Sequence, residues 1–178
     1  GIRERDVTGV QTCALPIFSG AVPLAHFFLR ERVKPGDRVV DATCGNGHDT
    51  LFLAELVGPE GRVWAFDIQD AALAATAKRL EAAGFGERVE LVNGGHERPV
   101  ELVPGPVTAV VFNLGFLPGA ENGTITTPAT TGPALDQAAE LLLPGGVVTV
   151  AVYTGHPGGP EEEVVVDAWA ASLPPACF

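Results

Sequence analysis

The chain is poor in positive charge, in cysteine and in long apolar runs. Its 178 residues include 11 Lys or Arg against 22 Asp or Glu, so the net charge is −11. Because nonspecific nucleic-acid binding depends on basic surface, this balance argues against a broad RNA or DNA footprint. It leaves room for a local patch around Arg30, Arg32 and Arg38, and for a small-molecule substrate.

Cysteine spacing and hydropathy exclude further classes of protein. The three cysteines, Cys13, Cys44 and Cys177, have neither metal-ligand spacing nor a disulfide framework. No apolar run approaches the roughly 20 residues that a membrane-spanning helix needs, and no secretory signal is visible. We therefore expect a protein of the reducing cytoplasm, with no metal and no membrane partner. The length suits one α/β domain with a substantial core.

Apolar strands alternate with helical segments along most of the chain. This alternation predicts a doubly wound, mainly parallel sheet of the Rossmann-like kind. Strands are expected at 38–42, 62–66, 88–92, 108–112 and 147–153, and helices at 22–32, 49–56, 70–83, 134–143 and 161–173. Since ligands of such sheets bind beyond the carboxyl ends of the strands, the residues after each strand form the candidate site.

The most informative segment follows the first predicted strand. It reads Asp-Ala-Thr-Cys-Gly-Asn-Gly-His-Asp-Thr over 41–50, and the second strand ends on Asp67. A strand, a Gly-x-Gly turn, a helix and a second strand with a terminal acid predict a nucleoside-binding half-site. Gly45 and Gly47 would let the backbone approach the ligand, and Asp67 could accept hydrogen bonds from both ribose hydroxyls.

Two nucleoside cofactors compete for this half-site. Dinucleotide-binding turns usually carry a third glycine or alanine where this chain has Thr50. Asp49 would repel an anionic pyrophosphate, but it would not repel the ammonium and sulfonium of S-adenosylmethionine. Asp41, four residues before Gly45, gives an acid-first spacing that resembles the first motif of class I methyltransferases. The loop favours S-adenosylmethionine, and an NAD-dependent oxidoreductase is the alternative.

Candidate catalytic residues follow the fourth and fifth strands. Asn113 lies where amino methyltransferases place an Asn-Pro-Pro-aromatic motif, and its amide oxygen could accept an N–H from a substrate amine. Phe116 could stack on a base; the plain alternative is a turn with Phe116 in the core. An alkyl amine must lose a proton before it attacks a sulfonium methyl, so His156 or Tyr153 could relay that proton. Alignment alone could also suffice.

Threonines and histidines supply further candidates. Threonines crowd the loop at 124–131, and a long loop inside a compact domain is usually functional, although it could be merely polar. His48 and His96 fall in the ligand loops, whereas His26 is expected to be an ordinary surface or packing residue.

Taken together, five segments resemble a small bacterial family of class I methyltransferases labelled rRNA methylase. They lie at 41–50, 66–69, 112–119, 125–127 and 153–159. Characterised members methylate 5-aminomethyl-2-thiouridine at the tRNA wobble position, so the resemblance implies S-adenosylmethionine as cofactor and tRNA as partner. It also implies cofactor contacts by Asn46, Asp67, Gln69, Gly95 and His96. The family tends to have Ser-His where this chain has Gly95-His96, so one hydroxyl contact is expected to be lost.

The candidate residues fall into two sets. The candidate catalytic residues are Asn113, Tyr153 and His156. The candidate cofactor-binding residues are Asp41, Gly45, Asn46, Gly47, His48, Asp49, Thr50, Asp67, Gln69, Gly95 and His96.

Both ends of the chain look unlike the rest of such a domain. Residues 7–17 have no periodicity and back-translate to a widely used sequencing adapter, so we expect residues 1–17 to be foreign to the natural gene. The methyltransferase domain would then span 18–178. Class I methyltransferase sheets normally continue with two more strands, which predicts a truncated domain. A fragment that binds cofactor without activity is therefore a third hypothesis, and a homodimer is compatible with any of them.

Overall fold

A computed structural model describes residues 20–97, 99–115 and 126–174. In these ranges five parallel strands form one sheet in the order β3-β2-β1-β4-β5. The strands are β1 Arg38–Asp41, β2 Arg62–Asp67, β3 Val89–Asn93, β4 Val107–Leu114 and β5 Leu142–Val152. The helices are α1 Ala21–Arg32, α2 His48–Val57, α3 Asp70–Ala83, α4 Pro99–Leu102, α5 Pro128–Leu141 and α6 Gly159–Ser172. None of them is long and apolar enough to cross a bilayer.

Each face of the sheet buries its own apolar core. Val39 of β1 packs in one core with Leu53 of α2 and Leu80 of α3. Its neighbour Val40 lies in the other core with Leu135 of α5. Successive side chains of a strand point to opposite faces, so a strand covered on both sides must be apolar throughout. This explains the unbroken apolar runs that predicted the strands.

The strand order places a crevice beside β1. The chain leaves β1 towards β2 on one side, and it returns to place β4 on the other side of β1. Loops that leave neighbouring strands in opposite directions open a crevice at the carboxyl ends, where doubly wound sheets bind ligands. The doubly wound, parallel fold predicted from the sequence is therefore confirmed.

Two element boundaries differ from the prediction by more than two residues, and the sequence does not predict the short helix α4. Helix α5 begins at Pro128, six residues before the expected start, so Thr130 and Thr131 are helical rather than part of a loop. Pro128 suits the first turn of a helix. The sequence does not predict this start, because Pro133 and the threonines that follow Pro128 are poor helix formers. Strand β5 begins at Leu142 and runs through the expected Pro-Gly-Gly turn at 144–146, with a register shift against β4.

Some predictions lie outside the described residues. They are the adapter-like origin of residues 1–17, the stacking role of Phe116, and the part of the threonine-rich segment at 124–125.

Candidate functional site

A cavity of about 810 Å³ opens at the carboxyl ends of the strands. Its lining includes ten of the predicted residues: Gly45, Asn46, His48, Asp49, Asp67, Gln69, Gly95, His96, Asn113 and Tyr153. Its charged lining within the described ranges consists of Asp49, Asp67 and Glu97, without a lysine or arginine. Fixed negative charge favours a cationic ligand and opposes a pyrophosphate. The predicted residues Asp41, Gly47, Thr50 and His156 are not part of this lining.

Asp67, at the end of β2, is held by the backbone. One carboxylate oxygen accepts a hydrogen bond from the Gly45 amide at 3.0 Å, and the other accepts one from the Gln69 amide at 2.9 Å. A carboxylate has about four lone-pair sites, so it can still accept hydrogen bonds from a ligand hydroxyl. The loop after β1 and the end of β2 therefore form one rigid edge of the cavity.

The two glycines of the loop have different surroundings. Gly45 has φ +50° and lines the cavity. Gly47 has φ +77°, and a Cβ there would lie 2.7 Å from Thr76 Oγ1 and 2.9 Å from Thr76 Cα. Glycine at 47 is therefore needed for the close approach of α3, whereas Gly45 brings its backbone to the cavity wall, where a ligand can approach it closely.

Asp41 and Thr50 support the loop from below. Both side chains are fully buried, and the Thr50 hydroxyl donates a hydrogen bond to Asp41 at 2.6 Å. The backbone amide of Thr43 donates to the other Asp41 oxygen at 3.2 Å. Burial, together with the nearby charges of Asp49 and Asp67, raises the pKa of Asp41 to about 7 against the lowering effect of the hydrogen bonds from Thr50 and Thr43. These contacts make Asp41 a support of the turn.

His96 has the position of a ligand-binding side chain. It is 8% exposed, lines the cavity, and meets the Phe112 ring edge-on at a centroid distance of 5.9 Å. Burial lowers the pKa of His96, so the neutral imidazole is favoured. Its Nε2 has no hydrogen-bond partner among the described residues. A buried polar atom without a partner is costly, and a bound ligand could satisfy it.

Asn113, near the end of β4, is fixed by two long-range contacts. Its side-chain amide donates to Asp49 Oδ2 at 2.5 Å, and its backbone amide donates to Thr43 Oγ1 at 2.7 Å. The other Asp49 oxygen lies 2.6 Å from His26 Nε2, and the His26 ring stacks on Phe52. His26 therefore packs as expected, but it also makes a hydrogen-bonding contact with Asp49 of the cavity lining that its sequence context does not reveal.

Tyr153 and His156 lie next to the end of β4. A Cβ built on Gly115 would be 3.3 Å from Tyr153 Cβ and 3.5 Å from His156 Nε2. Tyr153 is half-exposed and lines the cavity, and the His156 ring makes a 3.0 Å contact with the Pro157 carbonyl. The fold thus brings the candidate catalytic residues to the ends of the neighbouring strands β4 and β5.

Two threonines, one before α5 and one within it, donate hydrogen bonds to a buried carboxylate. Thr126 donates to one oxygen of Glu162 at 2.7 Å, and Thr131 donates to the other. Glu162, in the first turns of α6, is fully buried, and Thr127 and Thr130 line the cavity. Sequence reasoning missed Glu162 because it stands in an acidic run that has the composition of an exposed helix start.

Comparison with known proteins supports the methyltransferase interpretation of the chain. The family model described as "Putative rRNA methylase" matches residues 63–178. The chloroplastic tRNA (mnm5s2U34)-methyltransferase of Arabidopsis thaliana is 43% identical over 164 residues, which are 86% of this chain and 60% of that protein. The chain therefore spans somewhat less than two thirds of this curated relative.

Two solved structures have the same fold. A crystal structure described as an rRNA methylase of Clostridium thermocellum has a TM-score of 0.87 and 44% identity, covering 91% of this chain and 87% of that one. A Streptococcus mutans methyltransferase in complex with S-adenosylhomocysteine has a TM-score of 0.81 and 36% identity, covering 90% and 86%. The predicted family and fold are confirmed: the chain belongs to the rRNA methylase family of S-adenosylmethionine-dependent methyltransferases.

Proposed function

We propose that this chain methylates the amine of a 5-aminomethyluridine or its 2-thio form at the tRNA wobble position. The main support is a single cavity that contains both the nucleoside half-site at Asp67 and the hydrogen-bonded side-chain amide of Asn113. The carboxylate of Asp49 also lines this cavity. A tRNA methyltransferase relative that is 43% identical supports tRNA as the substrate class. The net charge of −11 implies that the tRNA contacts are local.

The cofactor occupies the edge formed by the ends of β1, β2 and β3. Asp67 takes the ribose hydroxyls, because the backbone fixes its carboxylate at the cavity wall. Asn46, Gln69 and Gly95 line the same edge, and His96 offers its buried Nε2 to the ligand. The acidic lining suits the ammonium and sulfonium of S-adenosylmethionine better than the pyrophosphate of NAD.

The methyl group is transferred by direct displacement. The amine nitrogen forms a bond to the methyl carbon, the carbon–sulfur bond breaks, and S-adenosylhomocysteine leaves. Asn113 accepts one amine N–H through its amide oxygen and so directs the lone pair towards the methyl group. The acidic lining stabilises the protonated amine. A protonated amine has no lone pair for the attack, so it must first lose a proton. His156 or Tyr153, next to the end of β4, relays that proton away from the amine.

Cofactor binding is tested by calorimetry. We expect wild type to bind S-adenosylmethionine, and Asp67→Ala to weaken that binding by roughly 100-fold, since two hydrogen bonds to a charged group are lost. Fluorescence titration with NADH tests the alternative. Binding of NADH in preference to S-adenosylmethionine would support an oxidoreductase, and unchanged affinity of Asp67→Ala would remove Asp67 from the cofactor site.

The substrate is tested with labelled methyl groups. Bulk tRNA lacking the modification is incubated with protein and labelled S-adenosylmethionine, and its nucleosides are identified by mass spectrometry. We expect label on the aminomethyluridine, and a loss of kcat in His156→Ala if His156 is the base. Label on another nucleoside would contradict the proposed substrate, and cofactor binding without transfer would favour the hypothesis of an inactive fragment.

A further inference from the structure

Asp49 lies between two partners that come from distant parts of the chain. Its Oδ1 is 2.6 Å from His26 Nε2 of α1, and its Oδ2 accepts the Asn113 amide at 2.5 Å. The His26 ring is stacked on Phe52 at 3.8 Å with an interplanar angle of 8°. The carboxylate is therefore held from both sides, and it stands at the first turn of α2 on the cavity wall.

This arrangement decides which end of the Asn113 amide faces Asp49. An ionised carboxylate only accepts hydrogen bonds, so Asn113 must turn its NH2 towards Asp49. The carbonyl oxygen Oδ1 is then left as the acceptor. Without the anion, the oxygen and the NH2 group are nearly equal in shape, and the amide could rotate by half a turn. A reversed Asn113 would offer a donor to the substrate amine and engage the lone pair that must attack.

We propose that Asp49 is a positioning residue that sets the polarity of the Asn113 amide, with His26 fixing its second oxygen. The inference depends on the proposed function, in which Asn113 accepts an amine N–H. It gives Asp49 a task beyond the cofactor contact expected from the sequence, since removal of its charge acts mainly on the chemical step and less on cofactor affinity.

The first test compares two Asp-to-Asn variants. Asp49→Asn can present either end of its own amide to Asn113, so we expect kcat for tRNA to fall by roughly 100-fold. The dissociation constant for S-adenosylmethionine should rise much less, by about tenfold at most, because Asp67 and Glu97 keep the cavity lining acidic. Asp70→Asn is the matched control, because Asp70 accepts a 2.5 Å hydrogen bond from Asn93 in the same way, but on the exposed surface. Its kcat should equal that of wild type.

The second test exchanges the two side chains. Asn113→Asp alone places two carboxylates together, so it should also lose activity. The double variant Asp49→Asn/Asn113→Asp restores a donor at 49 and an acceptor at 113. We expect it to recover at least about tenfold in kcat over the weaker single variant. An unchanged kcat in Asp49→Asn, or losses that accumulate in the double variant, would overturn the proposal.

A spectroscopic readout separates this inference from the proposed function. In wild type, the side-chain amide protons of Asn113 should give a separate, slowly exchanging NMR pair, which Asn113→Asp identifies by its absence. Asp49→Asn should shift and broaden that pair. If the pair in wild type is unaffected by Asp49→Asn, the polarity proposal fails whatever the substrate is. If the NMR result holds and tRNA is not methylated, the proposed function alone fails.

Discussion

The two halves of the cavity hold their key polar side chains by different kinds of contact. In the cofactor half, at the ends of β1 to β3, backbone amides of Gly45 and Gln69 hold the Asp67 carboxylate. In the substrate half, at the ends of β4 and β5 with the segment around Thr126, side chains hold one another: Asn113 to Asp49, and Thr126 to Glu162. Backbone contacts follow from the conformation of the loop, whereas side-chain pairs can change without a change of fold.

This difference bears on how the two halves could evolve. A nucleoside edge made of backbone donors suits any member of a fold that uses the same cofactor. The substrate half depends on a few side-chain pairs that join α1, α2, α5 and α6. Specificity for the methyl acceptor is therefore expected to reside in those pairs, and three variants test whether the two halves act separately.

The largest effect is expected beneath the cofactor half, at Asp41. Burial raises its pKa from 3.8 to about 7, so between these values the folded state keeps a proton that the unfolded state has released. The free energy of unfolding due to Asp41 is then greatest below pH 3.8 and falls as pH rises towards about 7. Asp41→Asn is uncharged at every pH, so it should remove this pH-dependent loss, on the order of 4 kcal/mol. It still offers an oxygen to Thr50, but its NH2 group cannot accept the Thr43 amide, which should cost about 1 kcal/mol at every pH.

Urea unfolding at several pH values between about 4 and 8 measures this effect. The difference between Asp41→Asn and wild type should grow with pH and level off near neutrality. Asp70→Asn, at an exposed aspartate, is the control and should run parallel to wild type. Parallel curves for Asp41→Asn would show that the turn of the cofactor half does not depend on a buried proton.

The next effect is expected at Gly47, in the turn itself. Gly47→Ala combines a left-handed φ of +77° with an overlap against the Thr76 backbone, and should cost about 3 kcal/mol of unfolding free energy. Gly84→Ala is the matched control: its φ is +73°, but no atom lies within 4 Å of its added Cβ. It should cost about 1 kcal/mol. Denaturant unfolding compares the two, and equal losses would mean that packing against α3 does not require glycine at 47.

The difference between the cofactor half and the substrate half also explains which features the sequence could predict. The sheet, its parallel strands and the residues at the cofactor edge follow from local patterns: apolar runs, a glycine turn and an acid that ends β2. The contacts of His26 and Glu162 lie 23 to 36 residues away in sequence. No local periodicity marks such partners, since only the packing of α1 and α6 brings them to Asp49 and to the threonines at 126 and 131. The sequence predicts Gly47 as a turn residue, but its packing against Thr76 depends on the position of α3.

The smallest effect is expected in the substrate half, at Glu162. Glu162→Gln keeps the shape of the side chain but replaces one acceptor by an NH2 group, so either Thr126 or Thr131 must give up its present hydrogen bond. Unfolding free energy should fall by about 1–2 kcal/mol.

Since Thr127 and Thr130 line the cavity beside these two threonines, the KM for tRNA should rise by about threefold to tenfold while the affinity for S-adenosylmethionine stays unchanged. Glu163→Gln, at the exposed neighbour on the same helix, should alter neither quantity. If the dissociation constant for S-adenosylmethionine rose by the same factor as the KM for tRNA, the two halves of the cavity would be coupled. Their different kinds of contact would then not separate cofactor binding from substrate binding.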